Sequence, residues 1–376
     1  MESVFQILKK SKKSKARVSR LKTVHGVVNL PNFMPIATLG AVKSLTPEEL
    51  KKIGVEIILS NTYHLFLRPG IAVIKKAGGL HKFMNWKGPI LTDSGGYQIF
   101  SLSSKRKILE KGVEFSSEIN GQKFFLTPEK AIEIQEGLGS DIAMVLDVCP
   151  AGKESYQEIK KAVRITFDWA KRAKKIKKGN RQLLFGIVQG GIFPDLRKKS
   201  AEEITRLNFD GYALGGFFVG EPALAKAMAD ETEKKTWQAM KRSIKFLPKE
   251  KPRYLMGAGK PEQIIRAVKL GVDLFDCVIP TRNARHGLLY VFKDIRHLKG
   301  EFYEGLHITN SRYIKDFKPI DKSCACYTCQ NFTRAYLRHL FMSQEPLALR
   351  LVTIHNLYFY LSLMRTIRDN IKTGKL

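Results

Sequence analysis

A chain of 376 residues, 44% of them hydrophobic, can bury a core of barrel size together with an appendage. With 65 Lys and Arg against 35 Asp and Glu, the formal charge is +30, a field that suits a polyanionic partner, nucleic acid first. No apolar run approaches a bilayer span, and nothing near Met1 resembles a cleaved signal, so the sequence predicts a soluble, cytoplasmic protein with no membrane partner.

Near the N-terminus the basic run Lys9–Arg17 reads as a solubilising face that could also meet nucleic acid. Two further dense spots lie at Lys171–Lys178 and Lys241–Arg253. Short apolar runs then recur at Phe33–Thr38, Glu56–Ser60, Pro89–Thr92, Asp141–Leu146, Leu183–Val188, Tyr212–Leu214, Arg253–Met256 and Val272–Phe275. Continuous apolar strands belong to parallel sheets covered on both faces. Strand and helix alternating eight times predict an α/β fold, a closed (β/α)8 TIM-type barrel with an open doubly wound sheet as the alternative. Between the third and fourth runs, residues 112–126 read as an inserted β-hairpin, with Asn120-Gly121 at a type I′ turn. No glycine-rich nucleotide loop opens any helix.

Barrel chemistry sits at the C-terminal ends of strands. There the chain places Asn61-Thr62, Asp93-Ser94-Gly95-Gly96, Asp147, Gln189-Gly190-Gly191, Gly215-Gly216, Gly257 and Asp276. Asp93 and Asp276 form a candidate pair, one carboxylate as nucleophile and the other moving protons, as retaining cleavage of a glycosidic bond requires. The glycines after Asp93 would let backbone approach a ligand, and Tyr97 offers a face for stacking. Asp147 could accept from ring N–H groups, while the Gln189 amide could donate to a carbonyl. After Asp276, a Pro-marked loop carries Arg282, Arg285 and His286, suited to phosphate.

Five cysteines, an odd count with three packed into six residues, do not look like a secreted disulfide framework. Cys324, Cys326 and Cys329 supply three thiolates, and a histidine would complete a closed tetrahedral zinc site of structural type. Spacing leaves His339 and His355 both open as the fourth ligand.

On these motifs the chain resembles the tRNA-guanine transglycosylases, which exchange guanine in tRNA for a 7-deazaguanine base. Phe33–Thr38, Ser60–Leu65, Thr92–Ser101, Phe185–Gly190, Tyr254–Gly257, Phe275–Arg285 and the cysteine cluster carry the likeness along nearly the whole chain. The resemblance implies a barrel over residues 1–290 and a zinc-binding subdomain with closing helices over 291–376. It implies Asp276 as the nucleophile on ribose and Asp93 as the general acid/base. Asp147, Gln189 and the backbone of Gly216 would read the base edge, between the faces of Tyr97 and Met256. Phe217 adjoins the 7-substituent, Arg282 and Arg285 would grip tRNA, and one structural zinc would sit on Cys324, Cys326, Cys329 and His355. A homodimer paired through the zinc region is also implied.

Two departures stand out. Bacterial members usually carry Asp-Glu-Cys where this chain has Asp147-Val148-Cys149, and Gly-Gly-Leu-Ala where it has Gly215-Gly216-Phe217-Phe218. Both changes lie around the 7-substituent, and losing a carboxylate removes one complement to an aminomethyl cation. The reading expects 7-aminomethyl-7-deazaguanine as the incoming base in queuosine biosynthesis, with queuine as the alternative. A non-catalytic tRNA-binding subunit is the competing class, and retention of both Asp93 and Asp276 argues against it. A barrel hydrolase acting on free nucleosides is a third reading, to which the basic charge and the cysteine cluster give no help.

Overall fold

All eight apolar runs become strands: Asn32–Met34, Ile58–Ser60, Ile90–Thr92, Ile142–Met144, Leu183–Val188, Gly211–Leu214, Arg253–Leu255 and Leu274–Asp276. Every residue in them is buried, which is why they read as apolar without alternation. The computed structural model describes residues 3–102, 106–150, 154–177, 179, 181–218 and 226–376, with 226–232 given by backbone alone. Lys178, in the second basic run, lies outside the described residues.

Each barrel strand lies parallel to its sequence neighbour, and the eighth pairs with the first through Phe275↔Phe33. A single parallel bridge, Ile36↔Leu59, joins the first strand to the second and closes the ring. Helices return the chain between strands, among them Pro128–Leu138, Tyr156–Ile176, Pro194–Arg206 and Pro261–Lys269. The long Pro346–Lys372 helix packs against the first barrel strand, the Pro47–Ile53 helix and the N-terminal strands. By length and composition this helix could cross a bilayer, contrary to the reading that no apolar run comes close. However, 72% of its most apolar window is buried inside the fold, as befits a core helix.

An N-terminal sheet was not expected, yet Phe5–Lys10, Arg17–Thr23 and Gly26–Leu30 form one, antiparallel throughout. It leans on residues at or just before the starts of barrel strands. Arg17 corrects the reading of the first basic run, because it is buried rather than presented to a partner. Its guanidinium grips Asp273 through Nε–Oδ1 at 2.9 Å and Nη2–Oδ2 at 2.6 Å, and also donates to the carbonyls of Lys249 and Lys251. Arg253, at the end of the third run, is likewise buried and donates to the Leu247 carbonyl at 2.8 Å.

On the same face, buried Asp141 is saturated. Oδ1 accepts from the His25 backbone N–H at 3.0 Å and ring at 2.9 Å, while Oδ2 faces the Ile90 N–H at 2.9 Å and His81 Nε2 at 3.2 Å. The two imidazoles stack with centroids 3.6 Å apart. Burial alone would raise the Asp141 pKa, but the donations from His81, Ile90 and His25 outweigh it and hold the carboxyl below its ordinary value.

The predicted hairpin exists, with a different turn and an extra strand. Gly112–Ser116 pairs with Lys123–Leu126, but Ser116 faces Lys123, leaving six residues between the strands. The Ser117 N–H donates to the Gln122 carbonyl, and Gly121 has φ +73° while Asn120 does not enter the left-handed region. The two-residue type I′ turn is therefore replaced by a longer loop. Arg106–Leu109 adds a third strand to this small sheet.

Removing one partner of a buried ion pair strands the other charge. Arg17→Met should therefore cost about 3–5 kcal/mol in chemical denaturation. A loss within ~0.5 kcal/mol, the range of an ordinary surface change, would show that this pair does not anchor the N-terminal sheet.

Candidate active site

Asp276 closes the eighth strand and is buried. Its Oδ1 accepts from the Tyr254 hydroxyl at 2.5 Å and from the Gly257 N–H at 2.9 Å. Burial raises its pKa against the pull of these two donors. Tyr254 keeps its proton, since burial and the charge of Asp276 push its own pKa well up.

Asp93 follows the third strand and has four donors. Oδ1 accepts from the Thr62 N–H at 2.9 Å and the Gly95 N–H at 3.2 Å, and Oδ2 from Asn61 Nδ2 at 2.5 Å and Gln98 Nε2 at 2.8 Å. Even so, burial, with a contribution from the charge of Asp276, pushes its pKa up to about 6. Asp147, after the fourth strand, accepts from Ser94 Oγ at 3.2 Å and Gln189 Nε2 at 2.7 Å. Burial and the charge of Asp93 push it to about 6 as well. Three carboxylates thus share one desolvated mouth that raises the pKa of each, Asp93 and Asp147 to within reach of neutral pH.

Two glycines make this packing possible. A Cβ on Gly96 would stand 2.8 Å from the Asp147 carbonyl oxygen, and one on Gly216 would stand 2.5 Å from Gln189 Oε1. Gly216 also holds φ at +73°. The glycines after Asp93 also meet a demand inside the protein. Gly95 makes room for Tyr63 and Gly96 for Asp147.

Tyr97 is exposed beside these groups and Met256 is half-buried just past the seventh strand. Tyr97 also lines a cavity of about 400 Å³ together with Val148, Cys149, Arg106, Glu158 and Lys161. Asp93 and Asp276 do not line it, and neither do Phe217 and Phe218. The Phe217 ring lies 3.6 Å from the Arg197 guanidinium carbon, and Phe218 meets Trp237 edge-on at 6.1 Å. The thiols near the mouth are held protonated. Burial pushes Cys277 up to about 12 and, with the charge of Asp147, raises Cys149 further.

The segment after Asp276 is a helix, Ile279–Arg285, rather than the predicted loop, with Pro280 in its first turn. Arg282 is exposed on it. Arg285 is half-buried and donates to the Thr281 carbonyl at 2.8 Å. Sequence reasoning gave no role to Asn61, Thr62, Gln98, Tyr254 or Arg197, all of which hold the groups above. Only the polar pair Asn61-Thr62 at a strand end carried a signal.

Cys324, Cys326, Cys329 and His355 lie together, all buried, with Sγ atoms 3.8, 3.7 and 3.3 Å from His355 Nδ1. His355 Nε2 lies 2.8 Å from the Tyr290 carbonyl, so it carries the proton and leaves Nδ1 free as a ligand. Donor set, spacing and tautomer fit a tetrahedral metal ion. His339, on the Arg334–Met342 helix, is not part of the cluster.

An eight-stranded parallel barrel whose polar groups crowd the C-terminal strand ends defines a barrel enzyme. A family model described as Queuine tRNA-ribosyltransferase matches residues 11–376. The chain is 50% identical over 376 residues to a queuine tRNA-ribosyltransferase of Dictyoglomus turgidum, covering 99% of this chain and 92% of that protein. Similar relatives so named occur in Thermoanaerobacter sp., 51% identical over 99% of this chain and 94% of that protein, and in Bacillus licheniformis, 49% identical over 99% and 93%. The chain therefore belongs to the queuine tRNA-ribosyltransferase family, the tRNA-guanine transglycosylases, and is an enzyme of the pentosyltransferase class.

The cluster should hold one metal ion per chain, measured by elemental analysis of purified protein. Cys326→Ala should lose that ion and melt at lower temperature, because a structural metal contributes folding energy. Metal-free protein with an unchanged melting temperature would contradict the assignment.

Proposed function

We propose that the protein exchanges guanine at the anticodon wobble position of tRNA for a 7-deazaguanine base, through a covalent ester between Asp276 and ribose. The observation that carries this reading is the convergence of three buried carboxylates whose charges act on one another along the mouth. In the first step the Asp276 carboxylate attacks the anomeric carbon, the bond to guanine N9 breaks, and the bonding pair leaves with guanine. Asp93, protonated near pH 6, supplies the proton that guanine takes up. In the second step Asp93 takes a proton from the incoming base, whose nitrogen displaces Asp276 and retains configuration.

Asp147, with Gln189 and the backbone of Gly216, reads the edge of the base, and Tyr97 and Met256 cover its faces. Their grouping at the ends of the third to seventh strands supports these roles. Arg282 and Arg285, one helical turn apart, bind tRNA phosphates, and the net charge of +30 favours the encounter. The metal at Cys324, Cys326, Cys329 and His355 is zinc, structural because four protein ligands leave no open position. The protein pairs as a homodimer through this region, where Ile314, Phe317, Tyr327 and Met342 each expose more than half of their surface.

The incoming base is 7-aminomethyl-7-deazaguanine on the family resemblance. Queuine is the second reading, favoured by the cavity beside Val148, where the carboxylate expected of bacterial relatives is replaced by an apolar side chain.

Denaturing a reaction of protein with tRNA and no added base should trap a protein–RNA adduct, and Asp276→Asn should abolish it. A full-strength adduct in that variant would remove Asp276 from the nucleophile's role. In a separate competition assay, Val148→Glu should raise use of the aminomethyl base relative to queuine. An unchanged ratio would show that position 148 does not govern base choice.

A further inference from the structure

Arg197, on the Pro194–Arg206 helix, is fully buried. Among the described residues no carboxylate pairs with it, and burial pushes its pKa down to about 9. Burying a cation without a counter-ion is costly, so a side chain needed only for packing would be apolar. What Arg197 touches explains its presence. Nε donates to the Gly191 carbonyl at 2.7 Å and Nη1 to the Val188 carbonyl at 3.0 Å. These two carbonyls bracket Gln189, whose own N–H donates to Ser200 on the same helix at 3.1 Å.

The Val188 carbonyl also accepts from the Gly215 N–H at 3.1 Å. That oxygen is thus a joint between the ends of the fifth and sixth strands, and Arg197 is bonded to it. On the far side the guanidinium faces the Phe217 ring at 3.6 Å, a cation–π contact in a desolvated setting. Among the described residues Nη2 has no hydrogen-bond partner, and it lies 3.7 Å from where a Cβ on Gly216 would stand. One planar group therefore touches both segments that flank the mouth here, Gln189–Gly191 and Gly216–Phe217.

We infer that Arg197 is a positioning residue that fixes Gln189 relative to Gly216 and so sets affinity for the free nucleobase. This rests on the reading above, in which those two groups read the base. Arg197 does not reach the base itself and acts through the groups that do. A planar group with two separate donors is required, since two carbonyls and an aromatic face must be met at once.

Exchange of labelled guanine into tRNA by the full-length wild-type protein is measured first, because failure there would overturn the functional reading and not this one. With exchange established, Arg197→Met should raise the KM for free guanine about tenfold or more while the KM for tRNA stays within about twofold. These values are read well below the melting temperature of the variant, where a merely structural role would leave the base KM unmoved. Should Arg197→Met fail to fold, Arg197→Lys keeps the charge but loses the fork and the stack. It should shift the base KM in the same direction by a smaller factor. A folded variant of either kind with an unchanged base KM, or with both KM values raised in parallel, would overturn the proposal.

Discussion

A carboxylate drawn out of water must be given donors in return, and at the mouth of this barrel the donors come from the adjacent strand end or the turn beside the carboxylate. Asn61 and Thr62, after the second strand, serve Asp93 after the third. Ser94 beside Asp93 and Gln189 after the fifth strand both reach Asp147 after the fourth. Across the ring, Tyr254 on the seventh strand and Gly257 just past it serve Asp276 on the eighth. The site is therefore a property of strand order. A parallel ring places consecutive strand ends side by side, and each link spans one gap between neighbours. Among the described residues none of these carboxylates is paired with a cation, and burial leaves Asp93 and Asp147 with pKa values near 6 instead of deep in the acid range.

The opposite end of the barrel treats its carboxylates differently. Asp273, just before the eighth strand, receives a two-pronged guanidinium from Arg17. Asp141, just before the fourth, takes backbone and imidazole donors on both oxygens. One end of the barrel thus ties its carboxylates down with guanidinium, imidazole and backbone donors, while the other leaves Asp93 and Asp147 responsive to protons near neutrality. That division between a stabilising face and a reactive face is the usual economy of this fold.

Strand positions were legible because burial on both faces makes each strand an uninterrupted apolar run. The polar residues ending those runs were legible for the same reason, as abrupt breaks in the pattern. The N-terminal sheet was hidden because charged residues alternate within it and Arg17 finds its partner 256 positions away. Tyr254 looked like one more apolar strand residue, and nothing in its neighbours announces that its hydroxyl serves Asp276. Arg197 was hidden by similar logic, since its partners are carbonyls, which carry no sequence signature. The Pro346–Lys372 helix was underestimated because His355 and Asn356 interrupt its apolar character. Both are buried and satisfied, His355 by the Tyr290 carbonyl and Asn356 by those of Pro280 and Leu288.

That helix has a further consequence for how the chain comes to be folded. It is made after every strand of the barrel, yet it packs against elements made well before it, the N-terminal strands, the first barrel strand and the Pro47–Ile53 helix. Ser11 even bonds to the carbonyl of Leu376. While the ribosome is still building residues 346–372, the growing barrel has a bare flank where this helix will stand, and the apolar side chains of the helix have nowhere to go. Closure thus waits until residues 346–372 have been made, and a nascent chain stalled shortly before them would present an open, adhesive edge to its neighbours.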